Sequence, residues 1–485
     1  MQLIVPFQLD NYIGGHFVSP VGGQYMDNIN PAVNEVYGCI PASDERDVAA
    51  AVMAAKHVLP AWRNTPVEKR FAILNRIADL IDENLEAFAL AETNDTGKPL
   101  WLSKKVDIPR ASANFRFFAT GIMHFASESH AMEERAINYT LRQPVGIVGC
   151  ISPWNLPLYL FSWKIAPALA AGNCVIAKPS EVTPVTAYLL GLLCKEAALP
   201  DGVLNILHGT GNACGEAIVK HPDIKAISFT GSTRAGAHIA TIAAPMFKKL
   251  SLELGGKNPN IIFADCNWEK MMATILQSSF SNQGQICLCG SRILIQENIY
   301  ERFKDEFVRK VELMRAGDPL EENSNQGAIV SQVHFDKIMA CLETAKKEGG
   351  VILTGGKAIK VEGRCSKGLF IAPTIIEGLG PQCQTNLEEI FGPVVTLQKF
   401  TTEEEALELA NAGNYGLSAT IWTQDVSCAN RVAAKVDCGI TWINCWLLRD
   451  LRTPFGGKKN SGVGREGGWE ALKFFTEAKN VCIEF

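Results

Sequence analysis

Residues 145–151 (VGIVGCI) and 174–177 (CVIA) decide the fold, because both stretches are almost wholly apolar. Short β-rich runs of the same kind follow at 204–207, 226–229 and 260–263. A strand that is apolar on both faces is typical of a parallel sheet that helices cover on each side. These runs therefore predict buried parallel strands.

Segments with apolar residues at helical spacing alternate with the predicted strands. They span 68–90, 183–198, 268–280, 299–314 and 334–348. In the last third of the chain, strands at 418–422 and 439–444 flank a helix at 426–434. Alternation of strands and helices is typical of α/β proteins with parallel sheets.

Composition and charge narrow the class of protein. The chain has 485 residues and a formal net charge of −5, and roughly 100 to 200 residues per domain would give two or three domains. No block of Lys and Arg would follow a phosphate backbone, so nucleic acid is not an expected partner. No segment approaches the roughly 20 apolar residues of a membrane-spanning helix, and residues 1–15 lack the basic start of a secretory leader. We expect a cytoplasmic protein without membrane contact.

The cysteines and histidines do not indicate a metal site. The chain has 15 cysteines and eight histidines, without a CxxC or HExxH pattern. Cys287 and Cys289 are close in sequence, but a CxC spacing alone is weak evidence for metal. Most of the other cysteines, such as Cys150 and Cys174, lie in apolar runs and are expected to be buried.

Three short segments contain residue types that suit acyl chemistry. Residues 280–287 (FSNQGQIC) place Cys287 after a loop rich in amides, which is typical of a nucleophile beside an oxyanion pocket. In 252–257 (LELGGK) two leucines flank Glu253, and an apolar setting raises a carboxyl pKa toward that of a useful general base. In 153–157 (PWNLP) two prolines frame Asn155, whose amide is a candidate oxyanion donor. Taken singly, the three residues also suit a buried thiol, a salt-bridged acid and a turn former.

Together and in this order, the three segments resemble the aldehyde dehydrogenase superfamily. The resemblance covers nearly the whole chain and implies that Cys287 attacks the aldehyde, that Glu253 activates water, and that Asn155 and the Cys287 N–H hold the oxyanion. It implies a parallel Rossmann-type NAD domain at 1–122 and 145–255 and an α/β catalytic domain at 256–455. A small β arm at 123–144 and 467–485 would join subunits into a homodimer or homotetramer.

The cofactor site is less clear from the residues alone, because the chain lacks a GxGxxG turn. Lys178, Ser180 and Glu181 follow a predicted strand at its carboxyl end, where open α/β sheets bind ligands. Ser180 and Glu181 would equally suit the capped start of a helix. The resemblance assigns Glu181 to the adenosine ribose hydroxyls, which favours NAD over NADP because a 2′-phosphate would meet negative charge.

The same resemblance places Ser232 near the pyrophosphate, and Glu389 and Phe391 near the nicotinamide ribose and ring. Without it, Glu388 and Glu389 would be interpreted as a charged helix edge. The complete predicted cofactor set is Ile151, Ser152, Pro153, Trp154, Lys178, Ser180, Glu181, Gly211, Gly215, Phe229, Gly231, Ser232, Leu254, Glu389 and Phe391.

Two arginines indicate the substrate class. Arg110 lies in the helical segment 106–118, and Arg449 lies in the polar-aromatic stretch 444–450. Two guanidinium groups at the entrance of one substrate site would bind a carboxylate by bidentate hydrogen bonds. The combination resembles the branch of the superfamily that oxidises muconic semialdehydes, so we expect a carboxylate-bearing semialdehyde, 2-aminomuconate 6-semialdehyde or its 2-hydroxy analogue.

Other interpretations of these residues also fit the sequence. Arg110 would pair locally with Asp107, and Arg449 with Asp450 or Glu466, if the arginines were ordinary surface residues. A broader or betaine aldehyde dehydrogenase would need an aromatic cage for a cation, for which Trp163, Trp446 and Phe455 are available. A non-catalytic nucleotide-binding relative and a CoA-acylating enzyme are further alternatives, although Glu253 disfavours the latter.

Overall fold

Two large sheets and a small third sheet organise the chain. The computed structural model describes residues 3–485. Of the segment 1–15, for which the sequence predicts no secretory leader, residues 1 and 2 lie outside the described residues.

The first sheet has eight strands, and its five central strands are parallel. The two edges are antiparallel. In spatial order the strands are His16–Val18, Asn11–Ile13, Leu204–Ile206, Cys174–Lys178, Ile147–Ile151, Ile224–Thr230, Lys249–Glu253 and Gly462–Val463. The predicted apolar runs in this half are thereby confirmed as buried parallel strands.

The second sheet has seven strands and is parallel except at one edge. In spatial order they are Val351–Thr354, Thr374–Glu377, Val394–Phe400, Arg292–Gln296, Pro259–Ile262, Ser418–Trp422 and Ile440–Ile443. The predicted α/β class is therefore confirmed for both halves of the chain.

Helices cover both sheets. Beside the first sheet they are Glu45–Arg63, Val67–Glu83, Leu85–Thr96, Ile108–Met123, Pro157–Ala170, Val185–Glu196 and Thr233–Ala243. Beside the second they are Trp268–Phe280, Tyr300–Glu312, Gln332–Lys347, Glu403–Asn411 and Val426–Lys435. Val148, Ile176 and Ile227 are fully buried between strands and helices, as strands covered on both faces require.

Shorter elements connect these layers. The helical turns are Leu100–Leu102, Ser103–Asp107, Gly211–Gly215, Glu216–Lys220, Ala244–Met246, Ser281–Gly284, Glu297–Ile299, Gly363–Cys365, Gln384–Leu387 and Gly468–Phe474. The small ladders pair Tyr25–Asn30 with Glu35–Pro41, Ala358–Ile359 with Phe370–Ile371, and Tyr415–Gly416 with Lys458–Lys459.

The single helix predicted at 68–90 is wrong in one respect, because the chain forms two helices there. Val67–Glu83 ends at Asn84, and Leu85–Thr96 begins immediately after it. The Asn84 side chain donates to the Leu80 carbonyl at 2.8 Å. An asparagine that bonds the preceding turn competes with the helix backbone, which explains the break.

The third sheet is antiparallel and joins distant parts of the sequence. Ala136–Pro144 pairs with Ser129–Met132 on one side and with Thr476–Glu484 on the other. The extended chain expected at 133–144 and 480–485 is therefore present, and the C-terminal strand begins earlier than expected. The helix Gly468–Phe474 packs into the first core through Ala471 and Leu472. The domain boundaries and the role of this sheet in assembly stay predictions.

Membrane-spanning helices and clustered metal ligands are both absent from the part of the chain that the structure describes. Between residues 3 and 485, no helix has both the length and the apolarity needed to cross a bilayer. The same residues contain no cluster of three or more His, Cys, Asp or Glu side chains arranged to hold a metal ion.

Candidate active site

The loop before Cys287 has an unusual backbone conformation. After the helix Trp268–Phe280, three consecutive residues adopt positive φ angles, namely Asn282 at 51°, Gln283 at 55° and Gly284 at 69°. A Cβ atom at Gly284 would lie 2.1 Å from the Gly392 carbonyl oxygen, so only glycine fits. The left-handed turn reverses the chain and places Cys287 in the lining of two cavities.

The Cys287 thiol is held in a protonated state by its surroundings. Burial raises its pKa first, and the nearby charges of Glu389 and Glu253 raise the pKa further. The Cys287 carbonyl accepts from Asn258 Nδ2 at 2.7 Å. The Cys287 backbone N–H donates to no acceptor among residues 3–485, so it is available to a substrate oxygen.

Glu253 ends a strand and faces the same region. It is the last residue of Lys249–Glu253 and is 3% exposed. Neither of its carboxylate oxygens has a hydrogen-bond partner within residues 3–485. Burial raises its pKa well above the usual value, as the flanking leucines predict, and Glu466 raises the pKa further. An unpartnered carboxyl of raised pKa beside a thiol has the properties of a general base.

Asn155 lies in the turn between a first-sheet strand and the helix Pro157–Ala170. Its Nδ2 donates to the Gln285 carbonyl at 2.9 Å. A carboxamide has two N–H donors, so one hydrogen is left for a substrate oxygen. Asn155 and Cys287 line the same cavity, which brings together the amide and the thiol that the sequence predicts.

That first cavity contains about half of the predicted cofactor residues. Its lining consists of Pro153, Trp154, Asn155, Thr230, Gly231, Ser232, Leu254, Gly255, Cys287, His334, Lys337, Glu389 and Phe391. Ser232 caps the helix Thr233–Ala243, and its Oγ accepts from Ala235 N at 3.2 Å. A capped helix start at the end of a parallel strand is a suitable place for a phosphate group.

The remaining predicted cofactor residues lie along the same edge of the first sheet. Ile151, Lys178 and Phe229 lie at or near the carboxyl ends of neighbouring parallel strands. Lys178 Nζ lies 3.1 Å from Glu181 Oε2. Burial alone would raise the pKa of Glu181, but the charge of Lys178 and hydrogen bonds, including one from the Gly211 backbone, lower the pKa overall. Ser152 and Ser180 are buried beside them, and Gly215 ends the turn that begins at Gly211.

The alternative that Ser180 and Glu181 cap a helix is wrong. The helix begins at Val185, and no side chain caps its first turn. Ser180 Oγ instead accepts from Val182 N at 3.4 Å, and Glu181 pairs with Lys178. The acid is therefore held at the sheet edge by a lysine, with part of its surface open.

The interpretation of Glu389 as a charged helix edge is also wrong. The short helix Gln384–Leu387 ends before it, and Glu389 Oε1 accepts from Gly256 N at 2.8 Å. A Cβ atom at Gly255 would lie 2.2 Å from Glu389 Oε2, so the glycines permit this close approach. Glu389 lines the first cavity, and its burial raises the pKa of its carboxyl.

A second cavity of about 290 Å³ meets the first at Cys287. Its lining is mostly apolar and includes Trp101, Leu102, Leu156, Tyr159, Leu160, Glu253, Gln277, Ser281, Cys287, Trp446, Leu447, Arg449, Phe455 and Glu466. Arg449 Nη1 donates to the Tyr159 hydroxyl at 2.9 Å. The cavity thus joins a thiol, a carboxyl and a guanidinium within an apolar wall.

Arg110 lies on the outer side of the same tyrosine. Its Cζ is 5.6 Å from the centre of the Tyr159 ring, and it lines an outer pocket together with Arg449. The two guanidinium groups therefore flank Tyr159, as expected if both lie at the entrance of one substrate site. Arg110 is absent from the lining of the inner cavity, so Arg449 is the arginine nearer to Cys287.

The local ion pairs considered for these arginines are wrong, because each acid has another partner. Asp107 pairs with Lys98 at 2.5 Å, Asp450 with Arg452 at 2.5 Å, and Glu466 with Lys164 at 2.8 Å. Within residues 3–485, neither Arg110 nor Arg449 forms a salt bridge. Arg449 therefore lines the inner cavity, and Arg110 lines the outer pocket, without an acidic partner.

Several residues of the site were missed by sequence reasoning. Lys164 is the one charged residue of the 14-residue helix Pro157–Ala170, which is a signal that the sequence does contain. The His334 ring lies against the Trp154 ring, its Nε2–H donates to the Phe391 carbonyl at 2.7 Å, and burial lowers the pKa of His334 to about 4. Tyr159 has no such signal, because tyrosine within an apolar helix usually only packs.

Comparisons with known proteins show the family to which the chain belongs. The model of the Aldehyde dehydrogenase family matches residues 17–481. The 2-aminomuconic semialdehyde dehydrogenase of Mus musculus is 46% identical over 480 residues, 98% of each chain. The 2-hydroxymuconic semialdehyde dehydrogenase of Pseudomonas sp. strain CF600 is 42% identical, over 98% of this chain and 99% of that one.

Solved structures share the fold of this chain. The NAD⁺ complex of an aldehyde dehydrogenase from Bacillus cereus superposes with a TM-score of 0.96 at 37% identity, over 99% of this chain and 97% of that one. The chain belongs to the aldehyde dehydrogenase family and is an aldehyde-oxidising enzyme. Among curated members, muconic semialdehyde dehydrogenases are similar to it over nearly their full length.

We predict that Gly284→Ala disrupts the Cys287 loop. The alanine would combine a positive φ with a clash against the Gly392 backbone, and the free energy of unfolding should fall by about 3 kcal/mol. Gly363→Ala is the matched control, since Gly363 has φ 71° and nothing within 4 Å of its Cβ position; it should lose about 1 kcal/mol. Urea unfolding measures both, and equal losses would show that the clash is unimportant.

Proposed function

We propose that this enzyme oxidises a carboxylate-bearing semialdehyde with NAD, with 2-aminomuconate 6-semialdehyde favoured and 2-hydroxymuconate semialdehyde a close second. The observation on which this rests is the position of Arg449, an unpaired guanidinium in the wall of the cavity that contains Cys287 and Glu253. A substrate carboxylate would form bidentate hydrogen bonds with the Arg449 guanidinium, in place of the water that solvates it. The names of the relatives, which act on muconic semialdehydes, support the same substrate class.

The aromatic residues of the cavity argue against a cationic substrate. Arg449 Cζ lies 4.0 Å from the Phe455 ring centre and 5.3 Å from that of Trp163. The guanidinium therefore occupies the faces that a quaternary ammonium would use. A betaine aldehyde would also be repelled by the positive charge.

The first step would use the thiol and the two oxyanion donors. The Cys287 Sγ attacks the aldehyde carbon, and the carbonyl oxygen takes the resulting negative charge. The Asn155 amide and the Cys287 N–H then donate to that oxygen, each contributing about 3 kcal/mol at the transition state. Because the pKa of Cys287 is raised, the thiol proton must pass to a base, for which Glu253 lines the same cavity, and that proton is lost to solvent before hydrolysis.

The first-sheet edge fits NAD as the oxidant. Glu181, fixed by Lys178, would accept from the adenosine ribose hydroxyls, and the capped helix start at Ser232 would face the pyrophosphate. Glu389 has one carboxylate oxygen bound to Gly256, which leaves the other for the second ribose. The nicotinamide of a bound NAD supplies the acceptor for the hydride that leaves the substrate carbon.

Glu253 would complete the reaction by hydrolysis. The acyl group is then bound to Cys287 as a thioester, and a water molecule must lose a proton as it attacks. Glu253 takes that proton, the carbon–sulfur bond breaks, and Glu253 returns the proton to the departing sulfur, so that the products are the free acid and the thiol. Its buried and unpartnered carboxylate suits this role, because the ionised form gains basicity when it is poorly solvated.

We also propose a homodimer or homotetramer in the cytoplasm. The antiparallel sheet of Ser129–Met132, Ala136–Pro144 and Thr476–Glu484 exposes Met132, Ile483 and Phe485, which a second copy would cover. The described cysteines are all unpaired, and a reducing compartment would keep Cys287 as a thiol. Light scattering of the full chain would measure the assembly size directly.

We predict that Arg449→Ala raises KM for the muconic semialdehyde roughly 10- to 100-fold, since a charged hydrogen bond is worth about 1.5 to 3 kcal/mol. KM for a short neutral aldehyde should stay nearly constant. Arg110→Ala should have the same direction and a smaller effect, because Arg110 lies outside the inner cavity. Arg452→Ala is the control, as its guanidinium is bound to Asp450. Equal changes for both aldehydes would contradict the carboxylate assignment.

We predict a rising pH dependence of acyl-enzyme hydrolysis. The base acts when it is ionised, and burial raises the pKa of Glu253, so the rate should increase with pH at values above the ordinary 4.5. Glu253→Gln should abolish this increase of the rate with pH and slow hydrolysis by about 100-fold or more. Single-turnover release of free acid measures the rate. If the rate of the variant still increased with pH in the same way, another group would be the base.

We predict that Glu181→Gln weakens the discrimination between NAD and NADP. The variant removes the charge that would repel a 2′-phosphate and leaves Lys178 without its acid. The ratio of kcat/KM for NAD to that for NADP should fall by about tenfold or more. Glu216→Gln changes an acid that pairs with Lys220 and His238 and should leave the ratio constant. An unaltered ratio for Glu181→Gln would show that Glu181 does not bind the ribose.

A further inference from the structure

A buried ionic cluster lies directly behind the turn that contains Asn155. The side chains of Glu92, Lys98 and Asp107 are all 0% exposed. Lys98 Nζ lies 2.5 Å from Asp107 Oδ2 and 3.5 Å from Glu92 Oε1. Its third neighbour is the backbone carbonyl of Asn155 at 3.0 Å.

The cluster reaches both ends of this turn. Lys98 donates to the Asn155 carbonyl at one end. At the other end, Glu92 Oε2 accepts from the Leu158 N–H at 3.4 Å, in the first turn of the helix Pro157–Ala170. Gly97, with φ 74°, ends the helix Leu85–Thr96 and turns the chain so that Lys98 points inward.

The Asn155 carbonyl also connects to the nucleophile loop. It accepts from Asn282 Nδ2 at 2.9 Å, and the same nitrogen lies 3.3 Å from the Gln285 carbonyl. The Asn155 side chain donates to that Gln285 carbonyl at 2.9 Å. The main-chain carbonyl of Asn155 is thus held by Lys98 and Asn282. Its side-chain amide is bound to Gln285, which lies two residues before Cys287.

Stability alone does not account for such a cluster. Burying three charged groups is expensive, and apolar residues of similar volume are often as stable or more stable in the same place. A buried ammonium that donates to one particular carbonyl does, however, fix its position, because in a medium of low polarity the bond is not exchanged with water. The position that Lys98 fixes is that of the oxyanion donor.

We propose that Lys98, held by Glu92 and Asp107, is a positioning residue that keeps the Asn155 amide aimed at the reacting oxygen above Cys287. The inference rests on the proposed function, in which Asn155 is an oxyanion donor. Lys98 itself has no exposed surface and touches no substrate. Its loss would let the turn shift, and a misplacement of about 1 Å can reduce a rate about 100-fold.

Two reactions of the Cys287 thiol separate positioning from general damage. Acylation by p-nitrophenyl acetate requires an oxyanion to be stabilised, whereas alkylation by iodoacetamide requires only the thiol. In the full-length enzyme, Lys98→Met should slow acylation by about 100-fold while alkylation stays within about a factor of two. Lys248→Met is the matched control, since Lys248 is also buried and donates to the backbone carbonyls of Val219 and His221; it should change neither reaction.

A variant in which all three residues of the cluster are neutral covers the case in which Lys98→Met does not fold. Glu92→Gln, Lys98→Met and Asp107→Asn together leave no unpaired buried charge, and this triple variant should show the same selective loss of acylation. If Lys98→Met does not fold, the triple variant decides the question. Unchanged acylation, or acylation and alkylation falling together, overturns the inference.

Asn155→Ala separates this inference from the proposed function. If Asn155→Ala slows acylation and the Lys98 variants do not, Lys98 is not a positioning residue and the oxyanion assignment stands. If Asn155→Ala leaves acylation unchanged, the oxyanion assignment fails and the role of Lys98 fails with it. If all three variants slow acylation selectively, both are supported.

Discussion

A buried hydrogen bond from Asn155 Nδ2 to the Gln285 carbonyl joins the two halves of the molecule where the chemistry takes place. Asn155 follows a strand of the first sheet, and Gln285 precedes a strand of the second. Because water does not compete for this bond, it holds the amide and the Cys287 loop in one arrangement. The two cavities meet at Cys287 as a consequence of this connection.

The electrostatics of the site follow from its burial. The pKa values of Cys287, Glu253 and Glu389 are raised, in each case first by loss of solvent. Uncharged forms are therefore favoured at the reacting centre. Arg449 differs, since a guanidinium stays protonated in proteins and keeps its charge beside the apolar cavity. Arg449 thus places a permanent cation beside groups whose ionised forms are disfavoured by burial.

Local patterns predicted the secondary structure well where one periodicity dominated. The strand Ser418–Trp422 and the helix Trp268–Phe280 have the predicted bounds, because an apolar run or a helical spacing is a property of neighbouring residues. The break at Asn84 was missed because it depends on one side chain that competes with the helix backbone. Glu389 was misplaced without the family resemblance, because its position depends on the distant glycine at 255.

The amino-acid sequence by itself determined the parallel α/β class and the types of reactive group, since apolar runs and short motifs are encoded locally. It also indicated a carboxylate substrate through Arg110 and Arg449. Only the tertiary structure decided that these arginines flank Tyr159 unpaired, and that Lys98 contacts the Asn155 carbonyl. The physical reason is that burial and hydrogen bonding between distant segments depend on how the two sheets pack, and no local pattern specifies that packing.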